Sequence, residues 1–307
     1  MKNLEDFQKL FKVNFPLGEH YEYYIETLMK SPFYAGLGVL AKEFESYELN
    51  IEQSEHSSLK SYKMKKIDEI SNFIKTTDVY NKLLNFDFNK EEFRTKDIRK
   101  QNYDSYFISI DFKQANYNCL KSIDDSGELG SSWEGFCMKF DTHKTLVKSK
   151  SFRQIVFGNT TPKRLTKLQH KNITIIVNDL INKHGYNESD FMFVSHDEFI
   201  IKLNQDAKLA VGEIIVLNNY VSSIINEKNI NMPTHYDVYK FKNIGKNKFL
   251  KTHFNTKANE LSESYKTLFG VPSNMFYQYF KQHVLEEEIE DRDLYFTLDK
   301  KLAKWVI

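Results

Sequence analysis

Phe191-Met-Phe-Val-Ser-His-Asp-Glu-Phe-Ile-Ile-Lys-Leu203 is the stretch from which the rest of the chain is interpreted. Two short runs of β-branched and aromatic residues flank a polar turn, the pattern of a tight β-hairpin. The turn carries His196, Asp197 and Glu198. Paired carboxylates beside apolar strands repel each other and lose hydration, a cost relieved by a metal or a substrate cation. A further carboxylate is therefore expected nearby.

Tyr106-Phe-Ile-Ser-Ile-Asp-Phe-Lys-Gln-Ala-Asn-Tyr117 supplies it. An apolar strand stops at Asp111 and passes into a polar, helix-compatible segment, burying Tyr106, Ile108 and Ile110 on one face and leaving Asp111 on the other. Between strand and hairpin lies Lys144-Thr-Leu-Val-Lys-Ser-Lys-Ser-Phe-Arg-Gln-Ile-Val-Phe-Gly158, which predicts one basic helix ending at a glycine.

The order of carboxylate strand, basic helix and carboxylate hairpin resembles the palm and fingers of family A DNA polymerases. Their motif A reads roughly Asp-Tyr-Ser-Gln-x-Glu-x-Arg, motif B Lys-x-x-x-Phe-Gly and motif C His-Asp-Glu. The counterparts are Asp111-Phe-Lys-Gln-Ala-Asn-Tyr-Asn118, Arg153-Gln-Ile-Val-Phe-Gly158 and His196-Asp-Glu198. Each motif alone is common, and the three together in order carry the resemblance. It covers residues 106 to 203, about a third of the chain. There are departures. Thr161-Pro162 stands where the family has Tyr-Gly, Asn116 replaces the glutamate that polices the sugar 2′ position, Arg153 replaces the lysine, and the interval between motifs B and C is short. These leave the choice between deoxy- and ribonucleotides open.

The resemblance implies a metal-dependent nucleotidyltransferase, a small DNA polymerase or a subunit of a split one, extending a primer 3′ hydroxyl. Two Mg²⁺ or Mn²⁺ ions are implied, because nucleotidyl transfer uses a pair of divalent ions on hard oxygen ligands. Asp111 and Asp197 would bridge them, the Phe112 carbonyl would add a ligand, and Glu198 would be peripheral to the catalytic pair. Arg153, Gln114, Asn116 and Lys148 are the implied nucleotide-binding residues, and His196 would contact the primer end. Two readings compete: a single-subunit RNA polymerase-like or terminal transferase enzyme, and a non-catalytic nucleic-acid-binding protein with a palm remnant.

Charge gives a separate argument. The chain's net charge is +1, yet residues 139 to 171 hold nine Lys or Arg against the one acid Asp141. Such a cluster is a phosphate-binding surface, and it nominates Lys163, Arg164 and Lys167 for primer or template. Residues 238 to 257 add six lysines and no acid on a predicted hairpin turning at Asn243-Ile-Gly245, which nominates Lys246 and Lys248. The expected partners are a primer–template, nucleoside triphosphates and a second polymerase subunit. The 15% aromatic content fits base stacking, but AT-rich coding explains it as well, and the combination points to a viral or phage protein.

A length of 307 residues suits one large or two modest domains. Two cysteines, Cys119 and Cys137, argue for a reducing compartment rather than a disulfide framework. The chain start has no signal-peptide core and no apolar run approaches membrane-spanning length, so a cytoplasmic protein without a membrane partner is expected. The predicted fold is α+β: a helical region over 1–100 with an internal loop at Glu52–Ser58, a palm-like antiparallel sheet with flanking helices over 101–257, and a helical region over 258–307. Within the middle region, Thr161-Pro162 should open a helix closed by Gly185, and a second amphipathic helix should run from about Ala207 to Glu227.

Overall fold

Residues 1–53, 58–86, 104–257, 260–298 and 301–305 are described by a computed structural model. Apolar residues at helical spacing fold the first part into α1 (Leu4–Phe11), α2 (Tyr21–Met29), α3 (Leu37–Glu52), α4 (Leu59–Thr76) and α5 (Asp78–Leu84). The predicted helical character holds across the described part, and residues 87–100 lie outside it. The predicted loop falls between α3 and α4. Ser58 caps α4 by accepting a hydrogen bond from the Ser61 amide, and residues 54–57 lie outside the described part.

From Phe107 onward strands appear, and they form one six-stranded antiparallel sheet in the order β2-β3-β1-β4-β5-β6. The strands are β1 (Phe107–Phe112), β2 (Phe191–Val194), β3 (Glu198–Lys202), β4 (Thr234–Gly245), β5 (Lys248–Lys257) and β6 (Glu260–Phe269). β1 lies between β3 and β4 and is buried on both faces up to Asp111, which is why apolar Phe107 and Ile108 stand side by side at its start. One face, with Ile108, Ile110, Phe199, Ile201 and Val238, joins the main core. The other carries a smaller cluster of Phe107, Met192, Ile200, Tyr239, Phe241 and Phe249. Burying a side chain such as Phe107 or Phe199 stabilises the sheet by roughly 2 kcal/mol.

The long helices match the sequence expectation. α10 (Pro162–His184) has proline in its first turn and ends at Gly185, whose φ of 77° is the left-handed value that closes a helix. α11 (Ala207–Glu227) is capped by Asp206, which accepts from the Lys208 and Leu209 amides. Contrary to the expectation about apolar runs, α11 is long and apolar enough to cross a membrane by length and composition alone. Ala210, Val211, Ile214, Leu217, Val221 and Ile224 are buried, on a helix that packs against α10 and β6. Core packing therefore accounts for much of its apolarity.

Two expectations are corrected. The basic helix over 144–158 is two helices, α8 (Lys144–Lys148) and α9 (Lys150–Gly158), with α6 (Ala115–Lys121) and α7 (Trp133–Met138) preceding them. Ser149 has extended backbone, and its Oγ accepts from the Phe152 amide at 3.1 Å while donating to the Leu10 carbonyl at 2.9 Å. A serine that offers the backbone this alternative partner breaks a helix. The region from 258 is not mainly helical. β6 continues the sheet, and β7 (Tyr295–Leu298) pairs with β8 (Lys301–Lys304) in a separate ribbon, leaving only short helical turns over 273–285 and 291–294 among the described residues. An unpaired β5 edge would leave a row of backbone donors and acceptors unmatched. β6 matches them, with Leu261, Tyr265, Thr267 and Phe269 at strand-compatible spacing.

A buried ion pair ties this last region to the N-terminal helices. Lys281 Nζ lies 2.7 Å from Asp293 Oδ2, with side chains 3% and 0% exposed, and Tyr23 Oη donates to Asp293 Oδ1 at 3.0 Å. Although burial opposes its charge, the Asp293 carboxylate lifts the lysine to about 12. Asp293→Ala would leave that charge to Glu290 Oε1, 3.4 Å away and half-exposed, and an expected loss of about 3 kcal/mol in a urea melt checks it.

Candidate active site

The hairpin turn is built by Ser195. Its amide donates to the Glu198 carbonyl at 2.8 Å and its Oγ accepts from the Glu198 amide at 3.2 Å, so His196 and Asp197 are held at the turn. The Phe112 amide donates to the Asp197 carbonyl at 2.9 Å, which fastens the turn to the end of β1. Asp111 is the cross-strand partner of Glu198 on β3 and of His235 on β4. The carboxylate strand and the carboxylate hairpin thus meet, as their sequence order implied.

Asp111 and Asp197 open onto one polar cleft of about 210 Å³. Phe112, Gln114, Asn116, Arg153 and His196 also line it, as do Lys113, Lys150 and Gln154. The ring of Phe112 is buried in the core, so its main chain is what it offers the cleft. Gln114 adopts a left-handed backbone with φ of 46°, turning the chain sharply from β1 into α6. Asn116 Oδ1 accepts from the buried Gln169 Nε2 at 2.8 Å, which fixes the amide's orientation.

α9 also borders the cleft. Its break from α8 separates two residues that the sequence reading grouped. Lys148 lies outside the cleft lining, its Nζ 2.8 Å from each carboxylate oxygen of Glu43. Lys150 and Arg153 line the cleft instead. Lys150 was missed, although its spacing of three residues from Arg153 puts both on one helical face, whereas Lys148 is five away. Among the described residues, Lys113, Lys150 and Arg153 have no carboxylate within ion-pairing distance, in contrast to Lys144 and Lys148. Burial draws the Arg153 guanidinium below its ordinary value, with distant Glu134 opposing.

The remaining nominated cations lie elsewhere. Arg164 Nη1 donates to the Leu83 and Phe86 carbonyls at 3.3 and 3.1 Å, closing the end of α5. Lys163 and Lys167 are exposed on the first turns of α10. The lysine hairpin turns at residues 246–247, slightly beyond the predicted position. His235 pairs with Asp111 and Gly245 ends the strand, so Lys246 and Lys248 lie about 30 Å along the sheet from the carboxylates.

Burial raises the Asp111 carboxyl above its ordinary value; His235 opposes this and Asp197 adds to it. Glu198 is raised for the same leading reason, against a hydrogen bond donated by Ser109 and with Asp111 adding repulsion. Asp237 lies on the same face two residues from His235. Burial would raise it, but His253 Nδ1 and Lys251 Nζ, each 2.7 Å away, hold it below its ordinary value. That network was not foreseen, since its members are remote in sequence. Among the described residues it leaves Asp111, Asp197 and Glu198 as carboxylates without a cationic side chain in hydrogen-bond contact, save His196 at 3.4 Å from Asp197.

Among the described residues no group of three or more acidic, histidine or cysteine side chains is placed to hold a metal ion. The donor set present, two carboxylates on a polar cleft with main-chain oxygen nearby, fits Mg²⁺ all the same. That ion keeps several waters and commonly takes only one or two carboxylates plus substrate phosphates. No protein-family model, curated protein or solved structure matches the chain.

Proposed function

We propose that this cleft binds a nucleoside triphosphate with divalent cations and transfers its nucleotidyl group to a 3′ hydroxyl, as a reduced polymerase palm would. One observation carries the reading. Two carboxylates, Asp111 and Asp197, share a cleft with Lys113, Lys150 and Arg153, the last three without a carboxylate partner among the described residues. Oxygen ligands and unneutralised cations lining one cleft are complementary to a metal-bound polyphosphate. The motif resemblance to family A polymerases supports the same reading from sequence.

Bound divalent cations would activate the hydroxyl and neutralise charge on the phosphoryl oxygens. Asp111 and Asp197 would hold them, with the Phe112 main chain as a further oxygen donor. Arg153 presents planar, directional donors to the triphosphate, and Lys150 and Lys113 add point charges. Gln114 and Asn116 line the side of the cleft next to β1 and would contact sugar or base. His196 sits at the turn where a primer end would approach Asp197. Glu198, bonded to Ser109, sits behind the pair and tunes its charge.

The raised Asp111 and Glu198 give this reading a pH signature. Protons compete with the metal for carboxylates that must be ionised to bind it. Extension should therefore rise with pH through a limb displaced above the ordinary carboxylate range, and higher Mg²⁺ should move that limb to lower pH. A pH–rate series at two Mg²⁺ concentrations measures this. A limb indifferent to Mg²⁺ would count against metal-binding carboxylates. Templated extension with deoxyribonucleotides and ribonucleotides, on primed and blunt substrates, tests the transfer itself.

A further inference from the structure

We infer that Lys12, at the end of α1, completes with Lys150 a subsite for the terminal phosphates of the triphosphate and for the pyrophosphate that leaves. The inference rests on the nucleotidyl-transfer reading for its ligand. Lys12 itself stands apart from the sequence motifs, none of which includes the first hundred residues.

α1 packs against α9, and the two are joined where Ser149 Oγ donates to the Leu10 carbonyl. The next turn of the chain brings Lys12 over α9, where its Nζ donates to Gln154 Oε1 at 3.0 Å. Gln154, Lys150 and Arg153 all line the cleft, and Lys12 stands just outside that lining, behind Gln154. Among the described residues Lys12 has no carboxylate partner; it rests on a neutral amide. Burial, and then the like charge of Lys150, draw its ammonium below the ordinary value. Lys150 is also close enough to Asp111 to oppose the rise in that carboxyl. Lys150 thus neighbours both Asp111 and Lys12. Two cations pushed together without an anion, beside the N-terminal turn of α9 with its partial positive charge, are a place for a polyanion.

The chemistry defines which end of the substrate belongs there. The 3′ oxygen forms its bond to the α-phosphorus while the bond from that phosphorus to the β-phosphate oxygen breaks. The electron pair leaves on pyrophosphate and the hydroxyl proton passes to solvent. Negative charge grows on the leaving group, farthest from the 3′ oxygen, where Lys12 and Lys150 lie.

The backbone at Lys12 makes a clean test possible. Its φ of 53° is left-handed, a conformation that glycine adopts more easily than lysine. Lys12→Gly should therefore leave the melting temperature unchanged or higher while it weakens the subsite. The experiment is calorimetric titration of the full-length chain with inorganic pyrophosphate, without divalent cations and at fixed ionic strength. Lys12→Gly should bind about tenfold more weakly than wild type, with Lys12→Arg recovering most of the loss. Lys75→Ala, an exposed lysine of α4, should bind like wild type. Equal affinity in wild type and Lys12→Gly, or an equal loss in Lys75→Ala, overturns the subsite whatever extension does. Absent extension with Lys12-dependent pyrophosphate binding would instead overturn the transfer reading and support an anion subsite on its own.

Discussion

Asp111→Asn is expected to reduce extension by at least about a thousandfold while raising the melting temperature of the metal-free protein. The two effects share one cause. Burial and the neighbouring Asp197 disfavour the charged form of Asp111, so the folded state binds a proton more readily than the unfolded chain. A group with a raised folded value favours the fold while it is protonated. That contribution is lost as pH rises from its unfolded value through its folded one. At neutral pH the ionised carboxylate is a burden to the metal-free fold, and the isosteric amide removes it. Mg²⁺ should raise the wild-type melting temperature by binding only the folded state, and should do so much less in Asp111→Asn. Thermal melts with and without Mg²⁺, beside primer extension, make the comparison. A destabilised Asp111→Asn protein that still extends primers would refute both halves.

Arg153→Ala is expected to lower kcat/KM for the triphosphate by about a hundredfold, the scale of losing one preorganised donor to a charged transition state. The guanidinium sits half-buried on α9, below its ordinary value because of burial, and lines the cleft with Lys150. Its removal unburdens the fold, so the variant should melt no lower than wild type. Arg153→Lys keeps the charge but not the planar pair of donors, and should recover only part of the loss. Steady-state titration of nucleotide against a saturating primer–template reads the change. Unaltered kcat/KM in Arg153→Ala would remove the cation wall from the account.

The elements that sequence made legible are those whose pattern is local. β1, the β2–β3 hairpin, α10 and α11 follow from apolar periodicity with a cap or a turn at each end, and their meeting brings Asp111 and Asp197 to one cleft. What escaped depended on contacts between distant residues. Ser149 breaks α8 from α9 because Leu10, far away in sequence, receives its hydroxyl. That break turns Lys148 to Glu43 and leaves Lys150 beside Arg153. β6 carries strand spacing amid charges, and became a strand because β5 had a free edge to match. Asp237, His253, Lys251 and Thr267 come from three strands, and register alone brings them together. Lys12 closes a helix with no catalytic signature, and only the packing of α1 on α9 brings it to Gln154.

The most direct measurement is extension of a labelled primer–template by the purified chain with Mg²⁺ or Mn²⁺, offering each nucleotide set, beside Asp197→Ala. Asp197 is fastened to β1 by its main chain, through the Phe112 amide, so the variant should keep the fold and the hairpin turn. The wild-type protein is expected to extend the primer, and Asp197→Ala to lose that extension. Extension equal in both, or none by either while both bind nucleic acid equally and without regard to Mg²⁺, would contradict it.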